Sequence, residues 1–130
     1  MRVYLAVPLI SNRSIGRTRL MAKAIRDSGH EVASPWNLEP TEVSAPSTAN
    51  VFERDRLGSE LADIMVADVT DPSTGVGMEL MAAYKAGRRI ILVSKKGRRI
   101  SKMLEDMDGK VRIEYDEEPE IYDRLLTALR

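Results

Sequence analysis

The 130-residue sequence contains no cysteine and only one histidine, one tryptophan and one phenylalanine. The absence of cysteine excludes disulfide bonds, thiolate metal sites and a cysteine nucleophile within this sequence. A single histidine cannot build a multi-histidine metal site. Lysine plus arginine equals aspartate plus glutamate at 20 each, so the formal net charge is zero. A balanced chain is not expected to be held to nucleic acid or to an anionic membrane by bulk charge.

Long hydrophobic runs are also missing, and no apolar stretch reaches the length of a transmembrane helix. Met1 and Arg2 lead directly into a strand-like pattern rather than into a signal peptide. We therefore expect a soluble, cytoplasmic protein. The length predicts a single domain over residues 1–130 with a sizeable core.

Apolar strand patterns alternate with helical patterns along the chain. Strands are predicted over 3–7, 31–34, 64–69, 89–93 and 111–115, and helices over 15–27, 50–62, 78–86, 100–107 and 119–129. This alternation predicts a three-layer, doubly wound α/β fold, Rossmann-like or flavodoxin-like, with a five-stranded parallel sheet and helices on both faces. Ligands bind such folds beyond the carboxyl ends of the strands, here segments 7–13, 35–37 and 70–77. The long loop 37–49 is predicted to be a mobile lid.

The most informative segment is the strand–loop–helix unit over residues 67–80, whose small residues would let a ligand approach the backbone. Glu79 is predicted in the first helical turn, where the macrodipole favours the ionised carboxylate. One interpretation is that Glu79 only offsets the helix dipole. The other is that it attacks or stabilises a developing cation in an active site.

A second carboxylate, Asp55, is predicted on the same helix face as Val51 and Phe52, and if that face packs against the sheet, Asp55 lies in the middle of the packed stripe. Burying an unpaired carboxylate costs several kcal/mol, so Asp55 needs a partner. The partner is either a nearby arginine or backbone amides in a structural role, or a ligand in a functional one. Two carboxylates in one pocket are typical of glycosidic-bond cleavage, and a retaining mechanism places them about 5–5.5 Å apart.

Four blocks, residues 3–5, 53–55, 62–79 and 97–101, carry a resemblance to a known family. The third contains Pro-Ser-x-Gly-Val-Gly-x-Glu at 72–79, and the fourth is Gly-Arg-x-x-Ser at 97–101. With these blocks the chain resembles the nucleoside 2-deoxyribosyltransferase superfamily, and within it the 2'-deoxynucleoside 5'-phosphate N-hydrolases.

The resemblance implies catalytic roles for three residues. Glu79 would be the nucleophile on the anomeric carbon, and Asp55 would hold the deoxyribose and assist proton transfer. Tyr4 would orient the carboxylate through its phenol. No metal and no organic cofactor is implied.

The resemblance also implies a phosphate site. Ser73 would bind the 5'-phosphate with the backbone amides of Gly75 and Gly77, and Arg13 would add positive charge. Ser101 would reach the same phosphate from a partner subunit, which implies a homodimer. Trp36 would stack on the base, or would only cover the sheet edge. The remaining predicted substrate-binding residues form the first loop: Val7, Pro8, Leu9, Ile10, Ser11 and Asn12.

Each of these residues also has a structural interpretation. Tyr4 could be a sheet residue with a satisfied hydroxyl, Arg13 a surface charge, and Ser73 and Ser101 a turn and a helix-start serine. The first loop is bulkier than the glycine-rich loop usual in the family, so base preference cannot be transferred. The leading hypothesis is hydrolysis of 2'-deoxynucleoside 5'-monophosphates. The alternatives are base exchange on deoxynucleosides, hydrolysis of a ribonucleotide such as CMP, and nucleotide binding without turnover.

Overall fold

The computed structural model describes residues 1–10, 13–38 and 50–130. Predicted loop residues Ser11 and Asn12, and most of the predicted lid, lie outside the described residues. Within the described ranges the strands are β1 (Arg2–Ala6), β2 (Glu31–Val32), β3 (Ile64–Asp68), β4 (Arg89–Lys95) and β5 (Val111–Tyr115). The helices are α1 (Ile15–Asp27), α2 (Val51–Leu61), α3 (Thr74–Lys85), α4 (Lys102–Asp106) and α5 (Glu120–Ala128), with a 3-10 helix over Pro35–Leu38.

The strands form one parallel sheet in the order β2-β1-β3-β4-β5. The strand order reverses between β1 and β3, which is where open α/β sheets leave a crevice for a ligand. Apolar side chains of α1 and α5 pack on one face of the sheet, and those of α3 on the other. The predicted five-stranded, doubly wound α/β fold is confirmed.

Helix α3 begins four residues earlier than predicted. Ser73 caps it by accepting a hydrogen bond from the Val76 N–H at 3.4 Å. Two glycines in the first turns weaken helix propensity by about 1 kcal/mol each, but burial of Val76 and Leu80 on the sheet outweighs this cost. Glu79 therefore lies beyond the first turn, which contains no acidic residue. The prediction that the macrodipole acts on Glu79 as a first-turn residue is wrong.

Helix α2 approaches the sheet through small residues. Val51 and Phe52 are 45% and 55% exposed, so the condition that their helix face packs on the sheet is not met. Ser59 is buried instead, and a Cβ atom added at Gly58 would lie 2.7 Å from Cε2 of Tyr4. The absence of a side chain at Gly58 is what lets α2 lie this close to Tyr4.

Strand β2 is shorter than predicted because the chain turns into the 3-10 helix at Pro35. Side chains then take over the pairing with β1. The Ser34 hydroxyl accepts from the Leu5 N–H at 2.9 Å and donates to the Leu5 carbonyl at 3.0 Å. The Asn37 amide donates to the same carbonyl at 2.8 Å, which fixes the segment carrying Trp36 beside the end of β1.

No helix in the described part of the chain is long and apolar enough to span a membrane.

Candidate active site

Four predicted site residues come together near the switch point between β1 and β3. Tyr4 is supplied by β1, Trp36 by the 3-10 helix, Asp55 by α2 and Glu79 by α3. The charges of Asp55 and Glu79 both act on the Tyr4 hydroxyl, and the Tyr4 and Trp36 ring centroids lie 6.3 Å apart in an edge-on arrangement. The sheet and three separate elements therefore converge on one pocket.

Glu79 is the most strongly perturbed acid in this pocket. Burial raises its pKa to about 8, and the negative charge of Asp55 adds to the rise. The neighbouring Tyr4 hydroxyl and the positive charge of Arg54 lower the pKa of Glu79, but they do not offset burial. An acid poised near neutral pH in a buried pocket is typical of a functional group.

Tyr4 is fully buried, and burial together with the charges of Glu79 and Asp55 raises the pKa of its hydroxyl. The phenol therefore keeps its proton and can donate it in a hydrogen bond. In the part of the chain that the structure describes, the Tyr4 hydroxyl has no partner within hydrogen-bond geometry. The alternative of a sheet tyrosine with a satisfied hydroxyl does not fit this observation.

Asp55 accepts a hydrogen bond from Nε of the adjacent Arg54 at 2.9 Å, and both side chains are largely buried. The predicted arginine partner is thereby identified. Asp55 also lies near enough to Glu79 for its charge to raise the pKa of that carboxyl. The structural pair and the two-carboxylate pocket are both present.

Trp36 has less ring surface available for stacking on a base than predicted, because the Arg54 guanidinium lies 4.5 Å from the centroid of its ring. One indole face is thus covered by a cation. A base could stack only on the opposite face.

Buried polar atoms without partners are concentrated in this pocket. Across residues 1–10, 13–38 and 50–130 they include the five atoms Tyr4 Oη, Trp36 Nε1, Asn37 Oδ1, Arg54 Nη1 and Glu79 Oε2. Each such group costs about 1–3 kcal/mol when its hydrogen bond is missing. A ligand that supplies donors and acceptors would satisfy them, so the cluster indicates a binding site.

The predicted phosphate residues lie at the start of α3, about one turn before Glu79, and a Cβ atom added at Gly75 would lie 3.8 Å from Oε1 of Glu79. The Ser73 Oγ caps this helix, and Gly75 falls in its first turn, where N–H groups lack intrahelical acceptors. The Gly77 N–H donates to the Ser73 carbonyl at 3.1 Å, so in this structure that amide is already used within the helix and is not available for the phosphate contact that the resemblance implies.

Ser101 is exposed and caps α4 by accepting from the Met103 N–H at 3.3 Å. Ser73 and Ser101 of one chain line a largely apolar groove of about 1080 Å³ between α3 and α4. Gly77 and Met78 also line this groove, whereas Glu79 does not.

The described part of the first loop is mostly folded inward. Val7 and Pro8 are buried, Leu9 packs against the core, and Ile10 is fully exposed. Any substrate contact by Val7 or Pro8 would therefore have to use backbone groups. Arg13 donates to the Asn37 carbonyl at 3.1 Å, so it joins this loop to the segment carrying Trp36.

Sequence reasoning missed a charge network that holds the loop after β3. Arg17 contacts Asp68 at 3.0 Å and Asp71 at 3.7 Å. Arg98 pairs with Asp71 from the other side and contacts the Thr70 carbonyl at 3.4 Å. These charges are far apart in the sequence, so no local pattern could have predicted the network. Arg54 lies within block 53–55, but its contact with Trp36, and its identity as the arginine partner of Asp55, were not predicted.

Gly58→Ala is expected to lower the free energy of unfolding by about 1–3 kcal/mol, because the new methyl group would overlap the buried Tyr4 ring. Urea denaturation measures the change. Gly16→Ala is the matched control, since a Cβ there would make only ordinary contacts, the nearest at 3.8 Å. Equal stability of the Gly58→Ala variant and the unmodified protein would contradict the close packing of α2 on Tyr4.

The fold and the pocket together define a doubly wound α/β protein with two neighbouring, largely buried carboxylates near the sheet's switch point. The family model described as nucleoside 2-deoxyribosyltransferase matches residues 3–119. The chain belongs to this family.

Among its relatives is a protein of Methanococcoides burtonii named "Putative 2'-deoxynucleoside 5'-phosphate N-hydrolase 1". It is 30% identical over 109 residues, which cover 80% of this chain and 88% of that protein. The 5-hydroxymethyl-dUMP N-hydrolase of Mus musculus is 34% identical over 96 residues, covering 72% of this chain and 53% of the mouse protein.

Among solved structures, the CMP N-glycosidase BcmB of Clostridium botulinum is similar with a TM-score of 0.76. The match covers 98% of this chain and 99% of that one. At 20% sequence identity this likeness concerns the fold alone.

Proposed function

We propose that this protein hydrolyses the N-glycosidic bond of 2'-deoxynucleoside 5'-monophosphates, releasing a free base and 2-deoxyribose 5-phosphate. The observation that carries the proposal is the pair of carboxylates, Asp55 and Glu79, in a pocket where buried polar atoms lack partners. The names of the Methanococcoides burtonii and Mus musculus relatives support the substrate class.

In the first step of the proposed mechanism, a carboxylate oxygen of Glu79 bonds to the anomeric carbon as the bond to the base breaks. The electron pair of that bond leaves with the base, which takes up a proton. Water then attacks the deoxyribosyl–Glu79 ester, giving retention at the anomeric carbon and freeing the carboxylate. The 2'-deoxy sugar lacks an electron-withdrawing hydroxyl next to the cationic centre, so the oxocarbenium-like transition state forms more easily.

The neighbours of Glu79 have complementary roles in this mechanism. Tyr4 keeps its proton and lies close enough to Glu79 to lower the pKa of that carboxyl, so in the proposed mechanism it orients the Glu79 carboxylate through a hydrogen bond that is not formed in this structure. Asp55, held by Arg54, binds the sugar and assists proton transfer. The pocket needs Glu79 ionised, and the raised pKa means that this form is favoured only above about pH 8 in the free protein.

For the phosphate we propose a site at the start of α3, built by Ser73 and the first-turn backbone, with Ser101 supplied by a second copy of the chain. Apolar side chains exposed on neighbouring helices support a contact between two copies. They include Leu61 on α2, Met78 on α3 and Met103 on α4, which are 65%, 54% and 73% exposed. Ser101 itself is exposed and available to a neighbour.

Ser101→Ala is expected to raise KM for nucleotides by about 10-fold or more, since a hydrogen bond to a charged group contributes roughly 1.5–3 kcal/mol. Activity on unphosphorylated deoxynucleosides should not change. Steady-state kinetics on matched nucleotide and nucleoside pairs measure the difference.

Mixing Ser101→Ala and Glu79→Ala chains tests whether Ser101 acts across subunits. In a mixed dimer with shared sites, one site carries both lesions and the other carries none. Activity above that of either homodimer is the expected result. No gain, with subunit exchange shown independently, would mean that Ser101 acts within its own chain, where it shares a groove with Ser73.

The proposed function is tested by incubating the protein with deoxynucleoside monophosphates, their ribonucleotide counterparts and free deoxynucleosides, and measuring released base by chromatography. Base release from the deoxynucleotides, in equal amounts with 2-deoxyribose 5-phosphate, is the expected result. Preferential release from ribonucleotides would overturn the proposed sugar specificity. Tight binding without any release would indicate a nucleotide-binding module.

Base exchange is the second candidate, because the matched family is described by its transferase activity. The two reactions share the first step and differ in whether water or a second base attacks the ester. Adding a different free base to the reaction distinguishes them. Formation of a new deoxynucleoside or deoxynucleotide would favour the transferase.

A further inference from the structure

We propose that Arg54 is a positioning residue of this site: it is the counter-ion of the Asp55–Glu79 pair, and it fixes Asp55 and Trp36 relative to each other. The proposal rests on the proposed function only in taking Glu79 as the nucleophile. The family resemblance implies no role for Arg54.

The geometry uses two different parts of the Arg54 side chain. Its Nε donates to Oδ1 of Asp55 at 2.9 Å, and its guanidinium carbon lies 4.5 Å from the centroid of the Trp36 ring. The side chain is only 18% exposed. A planar group that stacks and hydrogen-bonds at once holds its two partners in a fixed arrangement.

The charge of Arg54 has a clear function in this pocket. Two carboxylates in a buried site repel each other, so that one of them is driven towards its protonated form. The groups that act on Glu79 are Tyr4 from β1 and both Asp55 and Arg54 from α2. Of these, Arg54 supplies the positive charge, and it lowers the pKa of Glu79. Without it, the nucleophile would be ionised at higher pH only.

Arg54 also retains an unused donor. Its Nη1 is buried and has no acceptor in the part of the chain that the structure describes. A guanidinium N–H in this position would be satisfied by an oxygen atom of bound substrate. A lysine would keep the charge but lose both the planar stacking on Trp36 and this donor.

The test compares Arg54→Gln and Arg54→Lys with the control Arg56→Gln. Arg56 lies on the same helix but pairs with Glu53 and Glu60 at 2.8 and 3.0 Å, on the surface of α2. The Glu79 carboxyl is titrated by NMR in ligand-free protein labelled with ¹³C at glutamate side chains, and its signal is assigned by its loss in Glu79→Gln. The same variants are assayed for kcat and KM between pH 6 and pH 10.

Arg54→Gln is expected to raise the pKa of Glu79, to move the acid limb of kcat/KM to higher pH, and to lower kcat/KM at neutral pH by about 10-fold or more. Arg54→Lys should keep the pKa of Glu79 close to its value in the unmodified protein, but its KM should be higher than that of the unmodified protein. Arg56→Gln should change neither the pKa of Glu79 nor the KM. An unchanged pKa of Glu79 in folded Arg54→Gln would overturn the proposal. A KM of Arg54→Lys equal to that of the unmodified protein would also overturn it. If Arg54→Gln does not fold, the KM of Arg54→Lys decides whether the proposal stands.

The titration needs no turnover, so the two proposals can fail separately. If the unmodified protein releases no base from any nucleotide, the proposed function fails. The NMR titration still tests whether Arg54 is the counter-ion, because it shows whether Arg54→Gln shifts the pKa of Glu79.

Discussion

Glu79→Gln is expected to abolish base release, with kcat lower by at least about 1,000-fold and a much smaller effect on nucleotide binding. Glutamine keeps the shape and some hydrogen bonding of the side chain but cannot form the ester with the anomeric carbon. Removal of a group that acts only in the transition state lowers kcat rather than affinity. Single-turnover assays for kcat and calorimetric titration for binding separate the two effects. Retention of most of the activity would reject covalent catalysis by Glu79.

The same substitution is expected to stabilise the protein at alkaline pH. Burial raises the pKa of Glu79 from 4.5 to about 8, so folding favours the protonated acid. That contribution is fully present below the unfolded value near 4.5 and is lost as pH rises towards 8. Glutamine does not titrate, so Glu79→Gln should gain stability over the unmodified protein across this range. A stability difference that is constant from pH 4 to pH 9 would contradict the raised pKa.

Asp55→Asn is expected to lower kcat by about 100-fold, the order of magnitude of a positioned proton-transfer group. The variant should also move the acid limb of kcat/KM to lower pH, because the charge that raises the pKa of Glu79 is gone. Stability should fall modestly rather than rise, since Arg54 loses its charged partner at 2.9 Å. The pH profile and urea denaturation measure these two effects.

Glu53→Gln is the matched control for Asp55→Asn, because Glu53 pairs with an arginine of the same helix at the surface. It should leave the activity and its pH profile unchanged. Normal turnover by Asp55→Asn, together with a large loss of stability, would show that Asp55 belongs to a structural ion pair only.

The sheet and most of the helices could be predicted because their patterns are local. The strand pattern over 64–69 is apolar except for Asp68, as expected for a strand buried on both faces. Helix α1 matches its predicted bounds because Ser14 caps its start and Gly29, with a φ of 86°, follows its end. These signals depend on neighbours in the sequence alone.

Helix α3 shows where local signals fail. Pro72, Gly75 and Gly77 indicated a loop, yet the segment from Thr74 is helical because Val76 packs on the sheet. This shift of one turn changes the electrostatics of Glu79 from an expected dipole effect to a burial effect. Tertiary packing therefore determined whether this segment formed a loop or a helix.

The candidate site was predictable in part. Glu79, Asp55, Tyr4 and Trp36 were named from sequence, and the structure brings all four together. The role of Gly58 and the stacking of Arg54 on Trp36 depend on the approach of α2 to β1 and to the 3-10 helix. Such contacts between elements distant in sequence leave no periodic pattern.

The stereochemistry of methanolysis tests the central claim most directly, namely that the Glu79 carboxylate forms a covalent bond to the anomeric carbon. The protein is incubated with a 2'-deoxynucleoside 5'-monophosphate in buffer containing methanol, and the methyl 2-deoxyriboside 5-phosphate is identified by NMR. Two displacements at one carbon retain its configuration, so the account predicts the β-methyl product from the β-nucleotide. The α-methyl product would mean a single displacement without a glycosyl–Glu79 intermediate, and would contradict the account.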